Sequence, residues 1–260
     1  MPFTPLNCLL CMTWPRRLNI NPWSEHIPFA FAAIQILKPG VFVELGTNTG
    51  QSYCAFCQAV DMLGLDTACY AIDTWRGDEH TGPYSDEVLK DLHSHHDALY
   101  GRFSTLIRKT FDEAVGNFPD GSIDFLHIDG LHTYEAVKHD FETWLPKMST
   151  RGVILFHDTN VHERDFGVWR LWSEVKDNYP SFEFKFSAGL GVLGVGKEIP
   201  EGIKPLFEAK GEEAAAISKF FQSLGQGNIQ RKLLDNKVVQ MTKEAKAGLF
   251  KKLKKYVKGK

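Results

Sequence analysis

Long hydrophobic runs are missing from the sequence. The best apolar stretch, Phe29 to Leu45, is interrupted by Lys38-Pro39-Gly40, short of the roughly 20 residues a membrane-spanning helix needs. Cysteine is scarce as well. Five occur in 260 residues, an odd number and with no secretory leader ahead of them, so a reducing, cytoplasmic setting is expected rather than a disulfide framework. Four of them form two C-x-x-C pairs, Cys8/Cys11 and Cys54/Cys57. A zinc site would need four converging thiolates; the second pair lies in an apolar helical stretch, where small core residues are the competing reading. Net charge is nearly absent too, at −2, which gives no overall attraction to nucleic acid. The distribution is uneven, however. Met241 to Lys260 holds eight Lys against one Glu, so the tail carries +7 and the preceding residues −9. A basic tail on an acidic body signals a partner rather than a fold.

What remains is an ordinary globular profile, 43% hydrophobic and 24% charged, long enough for one α/β domain with extensions. Residues 1–37 read as an N-terminal extension, 38–197 as the main domain, and 198–260 as a helical extension ending in a basic amphipathic tail. The spacing predicts a helix over His26–Leu37 and then alternating strands and helices. Strands are expected at Val41–Leu45, Ala68–Ile72, Ser104–Arg108, Ile123–Ile128 and Gly152–Phe156. Helices are expected at Gln51–Leu63, Phe111–Phe118, Thr133–Met148 and Gly167–Asn178. Phe182, Phe184 and Phe186 alternate with charged residues, then a Gly189–Gly191 turn leads into Val192–Val195, which reads as an antiparallel hairpin. This order implies a Rossmann-like, mostly parallel sheet with helices on both faces. Ligands in such sheets bind beyond the carboxyl ends of the strands. A further helix over Glu212–Leu224 is expected to stop at Gly225.

The first candidate ligand site is VFVELGTNTGQS, Val41 to Ser52. Glu44-x-Gly46-x-x-x-Gly50 follows a strand and opens a helix, so Gly46 lets the backbone turn beside a ligand and the helix N-terminus offers free N–H groups. The spacing is not the G-x-G-x-x-G of nicotinamide sites. Glu44 would repel a pyrophosphate but suits a ligand with an amino group and a sulfonium. Asp73, ending the second strand, is placed to accept ribose hydroxyls. A strand-turn-helix without any ligand is the competing structural reading.

Together with YAIDTWRGDEHTG and FLHIDGLHTYEAVKHDFETWLPKMSTRGVILFHDTN, this stretch resembles the class I S-adenosylmethionine-dependent methyltransferases. More narrowly, it resembles the O-methyltransferase domains of bacterial polysaccharide and natural-product pathways, related to macrocin and catechol O-methyltransferases. The resemblance covers roughly residues 38–197. It implies a seven-stranded sheet with an antiparallel last strand. It also implies S-adenosylmethionine held by Glu44, Gly46, Thr47, Asn48, Gly50, Ser52 and Asp73, and a small-molecule or glycan acceptor.

On the acceptor side, Asp129 and Asp158 end adjacent strands and should point into one crevice. Converging carboxylates need a cation or a proton between them. A divalent ion such as Mg²⁺ at Asp129 and Asp158 would orient an acceptor hydroxyl and lower its pKa. His132, just after Asp129, is then the natural general base, with Asp129 assisting. Turn and cap roles are the structural alternatives for the two carboxylates, and a helix-start role for His132. In related catechol-type enzymes the second strand-end Asp is followed by Asp or Asn. Here Thr159 follows Asp158, with Asn160 one place later, leaving His157 or His132 to substitute.

Thr74–Phe103 is long for a connection and should cover the site. It includes Asp78 and His80, candidate crevice residues, and His93-x-His95-His96, readable as zinc ligands or as a solvated helix face. In the tail, Leu249, Phe250, Leu253, Tyr256 and Val257 share one helical face opposite Lys. That pattern suits peripheral contact with the inner membrane, or a solvated end. Three functions follow in order: methyl transfer to a hydroxyl, a nicotinamide-dependent oxidoreductase, or a non-catalytic membrane-surface module.

Overall fold

The computed structural model describes residues 5–258, and the side chains of residues 7–247. Two short 3₁₀ segments, Pro5–Met12 and Pro22–His26, precede the first helix. The elements then run α1 (Ile27–Leu37), β1 (Val41–Leu45), α2 (Gln51–Leu63), β2 (Ala68–Asp73), β3 (Gly77–Asp78), β4 (Gly82–Pro83), α3 (Asp86–Tyr100), β5 (Ser104–Arg108) and α4 (Phe111–Val115). The second half runs β6 (Ile123–Ile128), α5 (Tyr134–Trp144), β7 (Met148–His157), α6 (Val168–Val175), β8 (Ser181–Phe184), β9 (Leu190–Gly194), α7 (Lys204–Glu208) and α8 (Gly211–Lys258).

Seven strands make one sheet in the order β5-β2-β1-β6-β7-β9-β8. Neighbours among the first five pair parallel, and β9 lies antiparallel between β7 and β8. This is the Rossmann-like, mostly parallel sheet with an antiparallel last strand expected from the sequence. The central strands are apolar on both sides, as sheets covered by helices require. Phe42, Phe125 and Val153 belong to one buried cluster, shared with Phe29, Phe31 and Ile34 of α1. Val43, Leu126 and Ile154 belong to the other, with Val137, Phe141 and Trp144 of α5. Alternation along each strand thus feeds two helix layers.

The region of Gly225 differs from expectation. α8 does not stop there but continues to Lys258. A Cβ on Gly225 would lie 2.3 Å from the carbonyl oxygen of Glu25. The glycine therefore serves close approach of α8 to the Pro22–His26 segment, and not a helix stop. Beyond it, Leu234, Val238 and Met241 are exposed. The apolar face at Leu249, Phe250, Leu253, Tyr256 and Val257 lies outside the residues whose side chains are described. Among the described residues no helix is long and apolar enough to cross a membrane.

The Thr74–Phe103 connection holds a two-stranded hairpin, β3 with β4, and then α3. His93 is exposed and paired with Asp97, whereas His96 is buried with Nε2 2.7 Å from Ser104 Oγ. The histidine run is thus split between solvent and core. All five cysteines are buried free thiols, and burial pushes Cys8 and Cys11 up to about 11.

Candidate active site

The carboxyl ends of the parallel strands open into a cavity of about 670 Å³. That size suits a small-molecule ligand. Its walls come from the β1–α2 loop, the end of β2, the start of α4, the ends of β6 and β7, the β3–β4 hairpin, and Asn21 to Trp23 of the N-terminal segment.

The β1–α2 loop is shaped by its backbone. Gly46 has φ +87°, and a Cβ there would fall 2.0 Å from the Asp129 carbonyl oxygen. Only glycine lets β1 turn so close to the end of β6. Asp73 holds the loop from the next strand: Oδ2 accepts N–H bonds from Thr47 (2.9 Å) and Asn48 (2.8 Å), and Oδ1 accepts from Trp75 (2.7 Å). Gly46, Thr47, Asn48, Ser52 and Asp73 all line the cavity. Gly50 does not; it sits at the start of α2, where a Cβ would meet Leu92 of α3 at 2.4 Å.

Glu44 lies behind the loop and is not among the residues lining the cavity. Glu44 and His127 face each other in register on β1 and β6, so their side chains share one face of the sheet. Both are fully buried. Glu44 Oε2 lies 2.8 Å from His127 Nδ1, and Trp23 Nε1 donates to His127 Nε2 at 3.3 Å. Because Nε2 accepts from Trp23, the proton of a neutral His127 sits on Nδ1 and is given to Glu44. Burial pushes the Glu44 carboxyl up, while His127 opposes that shift.

The acceptor half is built from charged side chains. His132 Nε2 lies 2.9 Å from Asp158 Oδ2 and 3.8 Å from Asp129 Oδ1. His157 Nδ1 sits 3.1 Å from Asp129 Oδ1 and 3.2 Å from Asp158 Oδ2. Two carboxylates and two imidazoles therefore interleave. Burial would discharge the histidines, but the carboxylates raise His132 to about 9 and His157 to about 10. Burial likewise works to raise the carboxyls. His157 and His132 overcome it, taking Asp158 down to about 2 and holding Asp129 well below the carboxylate range. Asp158 has φ +62°, a left-handed conformation uncommon outside glycine. Such strain tends to gather at working sites.

A cover closes over this cluster. His80, on the β3–β4 turn, places Nδ1 3.2 Å from His132 Nδ1 and Nε2 2.7 Å from Asp165 Oδ1. Phe166 stacks on both rings, with centroids 4.6 Å apart in each pair. Asp78 also lines the cavity. Sequence reasoning had passed over Phe166, Asp165 and the wall from Asn21 to Trp23. Their only sequence signals are an aromatic and an acid ahead of a helix, and a Trp in an aperiodic leader.

Residues 43–159 match the model of a methyltransferase domain. The matched segment is 117 of the 260 residues. The chain is 50% identical over 186 residues to the uncharacterized protein y4gI of Sinorhizobium fredii (strain NBRC 101917 / NGR234), covering 72% of this chain. It spans only 20% of that protein's length. Among solved structures, the O-methyltransferase TomG of Streptomyces achromogenes, in complex with SAM and involved in tomaymycin synthesis, superposes with a TM-score of 0.50 at 12% identity. That alignment covers 70% of this chain and 83% of TomG. The cofactor-bound Rv0187 from MTB superposes with the same TM-score and identity, covering 73% of this chain and 87% of that one. At such identities these likenesses bear on the fold. Within the matched segment lie the loop, Asp73 and the Asp129/His132/Asp158 cluster; the wall from Asn21 to Trp23 and the Asp165–Phe166 cover lie outside it.

Proposed function

We propose that the protein transfers a methyl group from S-adenosylmethionine to a hydroxyl of a small-molecule or sugar acceptor. The observation that carries this reading is a single cavity joining the glycine loop and Asp73 to His132 between Asp129 and Asp158. The loop N–H groups and the Asp73 carboxylate suit the amino-acid and ribose parts of the cofactor. The sulfonium methyl is already electrophilic, so the protein has to align acceptor oxygen, methyl carbon and sulfur, and remove one proton.

His132 is the residue proposed to take that proton, with Asp129 and Asp158 orienting the ring. Raised to about 9, it is mostly protonated at neutral pH and gains basic character as pH rises. The donor set also fits a divalent ion: ligand atoms of Asp129, His132 and Asp158 lie within 4.8 Å of one another. Asp129 and Asp158 would hold such an ion through oxygen, and it would supply Lewis acidity toward an acceptor hydroxyl. Glu44 is proposed to act one layer back, fixing His127 beneath the loop.

Titration calorimetry with S-adenosylhomocysteine tests the cofactor reading, and absence of binding would overturn it. A nicotinamide oxidoreductase would instead bind NADH, which a fluorescence titration detects. The Lys-rich end of the chain is proposed, on its sequence alone, to meet an anionic lipid surface. Sedimentation of the full chain with phosphatidylglycerol vesicles tests that contact.

A further inference from the structure

Away from the active cavity, a groove of about 760 Å³ runs along the free edge of the sheet. Strand order puts β8 last, so one side of it has no neighbouring strand. Gly194 N donates to Pro180 O at 2.8 Å, and the register pairs Phe182 with Val192 and Phe184 with Leu190. Antiparallel alternation therefore turns the N–H and C=O groups of Ser181 and Glu183, both of which line the groove, outward from β9. An open ladder edge is a template for another strand, and folded proteins usually cover or blunt it.

The groove is walled from both helix layers. Trp172 of α6 stands on one face of the sheet. On the other, Phe182 shares a buried cluster with Ile217 of α8, and the small side chains of Ala214, Ala215 and Ser218 leave room beside the strand. The charge is one-sided. Lys176, Lys185, Lys210 and Lys219 line the groove against one acid, Glu183, and none of the four has an ion-pair partner among the described residues. This +3 patch sits on a body that is itself acidic. Lysines that only guard an edge belong on the edge strand. None of these four lies within Ser181–Phe184, and they come from three separate segments around it. A second observation points to a ligand. Trp172 is 3% exposed, and its indole N–H has no acceptor among the described residues. A buried donor left unsatisfied beside a groove calls for an acceptor from outside.

We propose that this groove docks an acidic, extended segment of a partner protein, which adds as a strand to β8. Backbone pairing with Ser181 and Glu183 sets the register of the segment, and its acids meet the lysines on both rims. An oxygen of the segment accepts the Trp172 N–H. A second copy of this chain is the wrong occupant, since joining two β8 edges would bring both sets of lysines together. No residue lining the groove also lines the active cavity, so a docked segment leaves that cavity open. The proposal makes no use of the cofactor reading above.

Fluorescence anisotropy on the full chain tests it with three labelled peptides. One alternates glutamate and valine, one alternates lysine and valine, and one alternates glutamate and proline. The last keeps the acidic charge but cannot pair as a strand. The glutamate–valine peptide is expected to bind and the lysine–valine peptide not to bind. Proline should weaken binding about tenfold or more, the worth of two lost ladder bonds. The Lys-rich end of the chain also attracts acids, so the Lys176→Glu/Lys219→Glu double variant decides where the peptide sits. It should lose about tenfold or more in affinity for the glutamate–valine peptide, with its melting temperature unchanged. Should that reversal unfold the protein, Lys185→Gln/Lys210→Gln carries the same prediction with a smaller loss. Equal affinity for the valine and proline versions of the acidic peptide, or wild-type affinity in a folded variant, overturns strand addition in this groove. So does tighter binding of a single-stranded oligonucleotide that is lost in the same variants, which would assign the groove to nucleic acid.

Discussion

The two halves of the cavity are made of different material. On the cofactor side the geometry is carried by backbone: a glycine at φ +87° packed against the Asp129 carbonyl, and a loop held by N–H bonds to Asp73. On the acceptor side it is carried by interleaved charges, with His132 and His157 set among Asp129 and Asp158. The first half is defined by sterics and by backbone N–H bonds to a single carboxylate. The second depends on where protons sit. Damage to the first should therefore appear as lost folding and lost cofactor affinity, and damage to the second as lost turnover and altered pH dependence.

The largest effect is expected at Gly46. In Gly46→Ala the new Cβ would lie 2.0 Å from backbone that cannot retreat without moving β6. A loss of about 3 kcal/mol or more is expected, the range of clashes at special backbone positions. Thermal denaturation should show it, and any folded protein should bind S-adenosylhomocysteine poorly. Unchanged stability would mean that the loop is not set by this contact. His132→Ala should do the reverse: cofactor affinity within a few-fold of wild type, but turnover reduced by about 10² to 10⁴. If turnover survives, the base is elsewhere.

A smaller, indirect effect is expected from behind the cavity. The segment Pro22–His26 supplies part of the cavity wall, with Trp23 donating to His127, and is pressed from behind by α8 at Gly225. Gly225→Ala places a Cβ 2.3 Å from the Glu25 carbonyl oxygen, and overpacking of this kind costs about 1–3 kcal/mol. Melting temperature should fall, and with it the affinity for S-adenosylhomocysteine, because the segment's contacts run to the loop side. Unchanged affinity at a lowered melting temperature would mean that the segment does not shape the cofactor half.

How much of this was legible beforehand follows the same division. β1, α2, β5 and β6 appear with the bounds that periodicity indicated, since period and burial agree there. The glycine loop was legible because its function is local: consecutive residues make it. The pairing of Glu44 was not legible, since register with His127 across two strands decides what its side chain meets, and register is not a local property. Gly225 was misread for a related reason. A glycine that ends a helix and one that lets another segment approach look alike until the neighbour, here Glu25, is known. Asp129, His132 and Asp158 could be grouped from strand ends alone. His157 and His80 were candidates as well, but the cover by Asp165 and Phe166 was not legible, because the loop before α6 brings them over His80 and His132.

The smallest expected effect lies in pH, where the half built of interleaved charges should reveal itself against the half built of backbone. His132 and His157 have folded values of about 9 and about 10, above the ordinary 6.5. Their contribution to stability is therefore complete below pH 6.5 and is lost as pH rises through 9 and 10. Asp158, at about 2 against an ordinary 3.8, contributes fully above 3.8 and loses that contribution as pH falls through 2. Stability from this cluster should then peak between those ordinary values, while turnover, which needs unprotonated His132, keeps climbing toward pH 9. The two profiles diverge on the alkaline side. Asp158→Asn removes one of the two carboxylates that raise His132, so the alkaline limb of turnover should move acid-ward by about one unit. Melting temperature should also become less sensitive to pH between 6.5 and 9. Parallel pH–rate and pH–melting series on wild type and Asp158→Asn measure both. A limb that does not move would show that the titrating base is not the imidazole held between these two carboxylates.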